Sequence, residues 1–184
     1  MIKLTKADIQ TALIVQPKPQ GAGMHDCIHF YPAGHLMLTD GYLMIGKRLA
    51  TAPVEGFSVP VADLAGFKSE SEVAIALSGQ SITLTGRSGL TRTLVCPEII
   101  QPAFARIVSR DNVDVWRSVS AKYLTAIDKI ARLYGSRVVL RPNAKGNVNI
   151  YFSNPDLFGV VAPLSDPKDK NAVPVAVPDW IPQP

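Results

Sequence analysis

The chain has 184 residues, 47% of them hydrophobic and 18% charged, a balance that excludes an intrinsically disordered protein and suffices for one medium domain or two small ones. A net charge of +4 leans toward a polyanionic partner, yet Lys and Arg are scattered, which argues against a domain built around a dense basic patch. Two cysteines, no apolar run of membrane-spanning length and an N-terminal Met1–Lys6 without a signal-peptide core point away from disulfide scaffolds, helical membrane proteins and export, and toward a reduced, cytoplasmic setting.

Ile2 to Leu4 starts a strand, and Thr5 caps a helix with Asp8 three residues on, as in a capping box. Ile9, Leu13 and Ile14 give that helix one apolar stripe, and Pro17 to Gly21 ends it. Cys27–Phe30 and His35–Leu38 flank the turn Tyr31-Pro32-Ala33-Gly34 as a hairpin, and after the turn Thr39-Asp40-Gly41 another strand runs from Tyr42 to Leu49. Val61 to Phe67 reads as a short helix with Pro60 at its first turn. Val73–Leu77, Ser81–Thr85 and Thr91–Val95 are strands, and the alternation of Ile82 and Leu84 with Ser81, Thr83 and Thr85 buries one face only. Pro97 to Asn112 is a connector with a turn of helix near Phe104-Ala105-Arg106. Ala121 to Tyr134 is the clearest helix, with Tyr123, Ile127, Ile130 and Tyr134 on one stripe and Gly135 closing it. Strands follow at Arg137–Arg141, Asn147–Phe152 and Leu157–Val161.

The segments Phe57–Pro97 and Trp116–Pro163 follow one plan. Val59, Leu64 and Phe67 have the spacing of Val119, Leu124 and Ile127, and Val95-Cys96-Pro97 matches Val161-Ala162-Pro163. The N-terminal segment fits as well, which makes three β-α-β-β-β units. The expected division is a two-unit domain over 1–110, a third half-domain unit over 111–165 and a proline-rich, flexible tail over 166–184.

Thr39-Asp40-Gly41-Tyr42-Leu43, Phe57-Ser58-Val59-Pro60-Val61-Ala62-Asp63-Leu64 and the end at Val161-Ala162-Pro163-Leu164 together resemble the bacterial replicative sliding clamp, over about residues 1 to 164. The first is similar to that family's T-D-G-H-R-L turn, the second to its strand-to-helix entry, and the last to its terminal V-M-P-M-R-L. Tyr42-Leu43 stands where the family has His-Arg, the final Met-Arg-Leu is replaced by a tail, and three units stand where a clamp chain has six. The resemblance implies an α+β DNA-clamp fold with antiparallel sheets and helices on one face. It implies a processivity factor, not an enzyme, that binds duplex DNA without sequence preference and recruits a polymerase or other clamp-binding protein. It further implies a homo-oligomer needing no cofactor or metal, and the reduced size suits a phage-encoded relative.

Under that resemblance Lys6, Lys18, Lys68, Lys122, Lys129 and Arg132 are candidates for phosphate contacts, although solvated lysines on a helix give the same pattern. Thr39, Gly41, Tyr42 and Leu43 with Val161, Ala162, Pro163 and Leu164 form a candidate partner-peptide groove, provided the first and third units are neighbours. Singly, Leu43, Val161 and Leu164 read as core. Trp180-Ile181 in the tail is a candidate occupant of that groove. Two other readings remain: a clamp-fold adaptor that forms no ring, and an enzyme using Cys27 with His25, Asp26, His29 and His35. No metal-binding or phosphate-loop spacing accompanies the latter set.

Overall fold

The computed structural model describes residues 1–16, 23–98, 101–102, 107–114 and 117–164. Lys18, the turn expected at Phe104–Arg106, Trp116 and the whole tail with Trp180-Ile181 lie outside the described residues.

The first unit holds β1 (Ile2–Thr5), α1 (Lys6–Val15), β2 (Cys27–Tyr31), β3 (His35–Thr39) and β4 (Leu43–Arg48). The second holds β5 (Phe57–Pro60), α2 (Val61–Leu64) running into a 3-10 turn at Ala65–Phe67, β6 (Glu72–Ser78), β7 (Ser81–Gly86) and β8 (Thr91–Val95). The third holds α3 (Ala121–Leu133), β9 (Val138–Pro142), β10 (Val148–Phe152) and β11 (Leu157–Val161). Its expected opening strand is absent among the described residues. Upstream of it the connector makes a single antiparallel bridge, Asn112 with Asn143, flanked by Val113 N to Pro142 O (3.0 Å) and Ala144 N to Asp111 O (2.9 Å). A strand needs a partner edge along its whole length, and this contact reaches only the end of β9.

Two antiparallel sheets result, in the orders β1-β6-β7-β8 and β5-β2-β3-β4-β11-β10-β9. The first two units exchange their opening strands. β1 pairs with β6, setting Leu4 against Val73 and Ile2 against Ile75. β5 pairs with β2, setting Val59 against Ile28 and Phe57 against Phe30. The third unit adds its strands to the first unit's sheet through β4 and β11, with Val161 opposite Leu43 and Gly159 opposite Ile45. Gly159 permits this junction. A Cβ there would stand 2.9 Å from both Ile45 Cδ1 and the Met44 carbonyl oxygen and 3.0 Å from Ile150 Cδ1, closer than carbon atoms pack.

The helices share one layer, with α1 packed against both α2 and α3. One continuous core joins them to the inner sheet faces through Ile9, Ile28, Phe30, Ile45, Leu64, Phe67, Ile75, Leu84, Ile127, Ile130, Ile150 and Val161. Because α1 is central, its apolar surface is wider than one stripe: Ile9, Ala12 and Val15 are buried, and so are Asp8 and Thr11. The outer face of the long sheet carries a second apolar cluster of Met37, Met44 and Val160, packed against Tyr31, Val108 and Phe158. The connector is tied to this sheet. Gln101 donates to the carbonyls of Phe30 (3.0 Å) and Phe57 (3.2 Å), Tyr31 donates to Pro102 O (2.9 Å), and Asn149 donates to Ser109 O (2.8 Å).

The capping box at Thr5 is present, with Thr5 N donating to Asp8 Oδ2 (2.8 Å) and Asp8 N to Thr5 Oγ1 (3.3 Å). Asp8 does more than cap. Only 2% exposed, it accepts from Lys47 Nζ of β4 (2.6 and 2.8 Å) and from Tyr134 OH at the end of α3 (2.6 Å). Burial, the adjacent carboxylate and its hydrogen bond push the Tyr134 phenol far above its usual range, so it stays protonated and donating. Removing a buried carboxylate strands the Lys47 charge and the Tyr134 hydroxyl. Asp8→Ala is therefore expected to cost about 3 kcal/mol of unfolding free energy in chemical denaturation; a loss below about 1 kcal/mol, the level of a surface pair, would show that the network holds nothing together.

Candidate functional site

The β4–β11 junction brings the Thr39-Asp40-Gly41 turn beside the end of the third unit. Ala162 N donates to Tyr42 O at 2.7 Å, continuing the ladder past the strand ends, and Leu164 N donates to Ser118 O at 2.8 Å. Gly41 adopts φ +92°, which a side chain would strain, and a Cβ there would also meet the His25 ring at 3.5 Å. Thr39 Oγ1 accepts from Gly41 N (3.0 Å), and Asp40 Oδ1 accepts from the backbone of Tyr42 (3.0 Å) and Leu43 (2.8 Å), so side chains of the turn bind its own backbone.

Three further groups hold the turn in place. Gln16, at the end of α1, donates to Thr39 O (2.9 Å) and to His25 O. Tyr123 of α3 donates its hydroxyl to Asp40 Oδ2 at 3.1 Å, and Lys122 Nζ lies 3.7 Å from the same oxygen and 4.8 Å from the Tyr123 ring centroid. Partial burial and the Asp40 carboxylate push the Tyr123 phenol up to about 12. Tyr42, 64% exposed, stacks on Tyr123 with centroids 6.3 Å apart. Leu124 of α3 and Leu164 after β11 are also exposed, at 43% and 57%.

The residues expected to line the groove divide into two sets. Tyr42 and Leu164 are exposed, Ala162 and Pro163 half-buried, and Gly41 presents backbone. Leu43 and Val161 are core residues and Thr39 is buried, so these three are not open to a surface partner. Asp40, Gln16 and Tyr123 join the site from outside the expected set. An aspartate inside a turn signals an Asx turn, but nothing local marks Tyr123 as more than part of a helical stripe.

Among the candidate cations, Lys6 is the first residue of α1, Lys68 follows the 3-10 turn, and Lys122, Lys129 and Arg132 lie on α3. All five are exposed on the helical layer. Lys122 is engaged with Asp40, and Arg132 pairs with Asp128 at 3.0 Å, four residues earlier. The Arg132–Asp128 pair is exposed on both sides and weak, whereas in the Lys122 pair the Asp40 carboxylate is largely buried.

Cys27 and His29 lie in the core. Cys27 is fully buried, and burial, with Asp26 and Asp63 nearby, pushes its thiol up to about 12, far from a reactive thiolate. His29 is fully buried between Ser58 Oγ (2.8 Å from Nδ1) and Met24 O (2.7 Å from Nε2). Its ring therefore donates from Nε2 and accepts at Nδ1, as neutral imidazole does. His35 stacks on Tyr31 with centroids 4.6 Å apart. Among the described residues, no group of three or more His, Cys, Asp or Glu is placed to hold a metal ion.

Burial lowers the pKa of His29 below its ordinary value. An unfolded chain then takes up a proton that the folded chain refuses, so this stability is present above about pH 6.5 and lost as pH falls below it. The melting temperature is expected to decline from about pH 6.5 to pH 5, above the range where carboxylates titrate. His29→Gln should flatten that slope; an unchanged slope in the variant assigns the acid sensitivity elsewhere.

No protein-family model matches the sequence, and no curated protein does. Solved structures match through their fold. The DNA polymerase III beta chain from Streptococcus pneumoniae superposes with a TM-score of 0.63 at 10% identity, covering 90% of this chain and 64% of that one. The Helicobacter pylori beta clamp bound to a DNA ligase peptide gives 0.63 at 10%, covering 89% and 65%. DNA polymerase III subunit beta from Borrelia burgdorferi gives 0.61 at 12%, covering 89% and 64%. The chain spans slightly less than two thirds of each of these structures. Two exchanged half-domain units with a third continuing their sheet are thus the architecture this chain shares with sliding clamps: its fold is the DNA-clamp fold.

Proposed function

We propose that the chain is a sliding-clamp-type processivity factor. It holds duplex DNA without sequence preference along its helical layer and recruits a polymerase or other replication protein through the groove at the β4–β11 junction, working as a homo-oligomer in the cytoplasm. The observation that carries this reading is the junction itself. The Thr39-Asp40-Gly41 turn and the Val161–Leu164 end come from opposite ends of the chain, yet Ala162 N and Tyr42 O are hydrogen-bonded at 2.7 Å. Exposed apolar side chains beside an anchored turn suit capture of a short linear motif by side-chain burial.

Two measurements test the reading. A peptide of the DNA ligase class should bind by fluorescence anisotropy, and Tyr42→Ala or Leu164→Ala should weaken it roughly tenfold, the worth of one buried apolar or aromatic side chain; equal affinity in both variants would remove the groove from the proposal. The protein should also stay on nicked circular duplex and leave once the circle is linearised. Reversing Lys6, Lys68 and Lys129 to Glu should flatten the dependence of log affinity on log salt by roughly 2 to 3, about 0.9 for each phosphate no longer neutralised. Peptide binding without any retention on the circle would instead favour a clamp-fold adaptor that forms no ring.

A further inference from the structure

The third unit shows what its counterparts look like without a partner. In the second unit Val59 lies in β5, paired with β2, and both Val59 and Leu64 are fully buried. The repeat places Val119 and Leu124 at these positions. Val119 is only partly buried, and Leu124 is 43% exposed. Residues 117–120, the counterpart of β5, form no strand. β9, the counterpart of β6, pairs with β10 on one side. Among the described residues its other side meets only the connector, at Asn112–Asn143 and through Val113 N to Pro142 O (3.0 Å), both at its C-terminal end. Val139 on this edge strand is 53% exposed.

We infer that a second copy of this chain supplies the missing half, the two third units exchanging their 117–120 arms across a two-fold axis. This deepens the homo-oligomer of the proposed function and rests on that reading's half-domain architecture, not on DNA binding. The occupant follows from what a partner must offer. Each of the first two units gives an opening strand and receives one, a reciprocal exchange about a pseudo-two-fold. The partner of the third unit must likewise hold a free arm and a free first hairpin edge. Both the β1–β6 and β2–β5 pairings are already made, and among the described residues the third unit alone has an opening arm outside any sheet, held through Ser118 O by Leu164 N (2.8 Å), and a first-hairpin edge that no strand covers. Its surface is therefore complementary to itself, which is the condition for an isologous dimer. The two existing exchanges share a register: Leu4 opposite Val73, and Val59 opposite Ile28. Transferred to the third unit, that register sets Val119 of one copy opposite Val138 of the other, with Arg117 opposite Leu140. Val119, Val138 and Leu140 already pack at the margin of the core and would be sealed by the pairing. Two copies would then hold six units in three complete domains.

Sedimentation equilibrium of the full chain, at concentrations up to on the order of 100 µM, reads the assembly without DNA. The expected mass is twice 19.8 kDa, or an even multiple of the chain. Val119→Asp with Leu124→Glu alters exposed or half-exposed positions. It should raise the dimer dissociation constant at least about tenfold, the equivalent of losing one buried aliphatic side chain per arm, with circular dichroism unchanged. A second measurement stands apart from stability. In a Cys96→Ser background, oxidising a mixture of the Val119→Cys and Val138→Cys variants should give a covalent dimer. A monomer throughout, or a dimer indifferent to the charges and uncross-linked by the cysteine pair, would overturn the inference. Retention on circular DNA by such a protein would show that the clamp reading survives on another interface.

Discussion

The buried carboxylate of Asp8 is the constraint on which the arrangement of this molecule depends. An ionised group at 2% exposure is tolerated only when fully partnered, and its partners come from three elements: Thr5 at the start of α1, Lys47 in β4 and Tyr134 at the end of α3. Buried ion pairs contribute little net stability against an apolar alternative; their main effect is to penalise wrong arrangements. Here the penalised arrangement is any in which α3 slides along α1. Fixing α3 sets Tyr123 within 3.1 Å of Asp40, and that bond fixes the turn against which the chain's C-terminal strand pairs. The turn is thus tied, through α3, to a charge network that lies outside its own residues.

Two consequences of the third unit's addition run through the rest of the fold. The long sheet has apolar surface on both faces, because the helices cover one and connector residues such as Val108 cover the other. Buried asparagines hold that connector: Asn149 donates to Ser109 O, and Asn143 donates to Asn149 Oδ1 at 2.8 Å. In addition, among the described residues the unit's own opening segment pairs with no strand edge, so side chains that are core in the second unit are surface in the third. The same sequence pattern in two environments separates what a unit specifies from what its neighbour supplies.

The polar groups of the interior are held in fixed, fully packed positions. Cys27 is a protonated, buried thiol, and His29 is a neutral ring bonded on both sides. On the surface lie the exposed lysines of the helical layer and, beside the anchored turn, Tyr42 and Leu164.

Much of this is legible in the residues. The Thr5–Asp8 box, Gly135 at φ +58° and the alternation in β7 are local signals, set by hydrogen bonds and sterics within a few residues, and the elements they bound are present. The repeat discloses the units because each must bury the same face. Other features emerge only in the folded chain: the breadth of burial around α1, the failure of residues 117–120 to become a strand, the strapping of the connector, and the burial of Thr39, Leu43 and Val161 beside exposed Tyr42 and Leu164. Periodicity states that a face is covered but not by what. The bonds that settle the matter join residues 83 and 126 positions apart, Asp40 to Tyr123 and Asp8 to Tyr134. Local residue patterns therefore dictate the units and their order, whereas the assembly of those units is settled in three dimensions, because long-range partners leave no local trace in the chain.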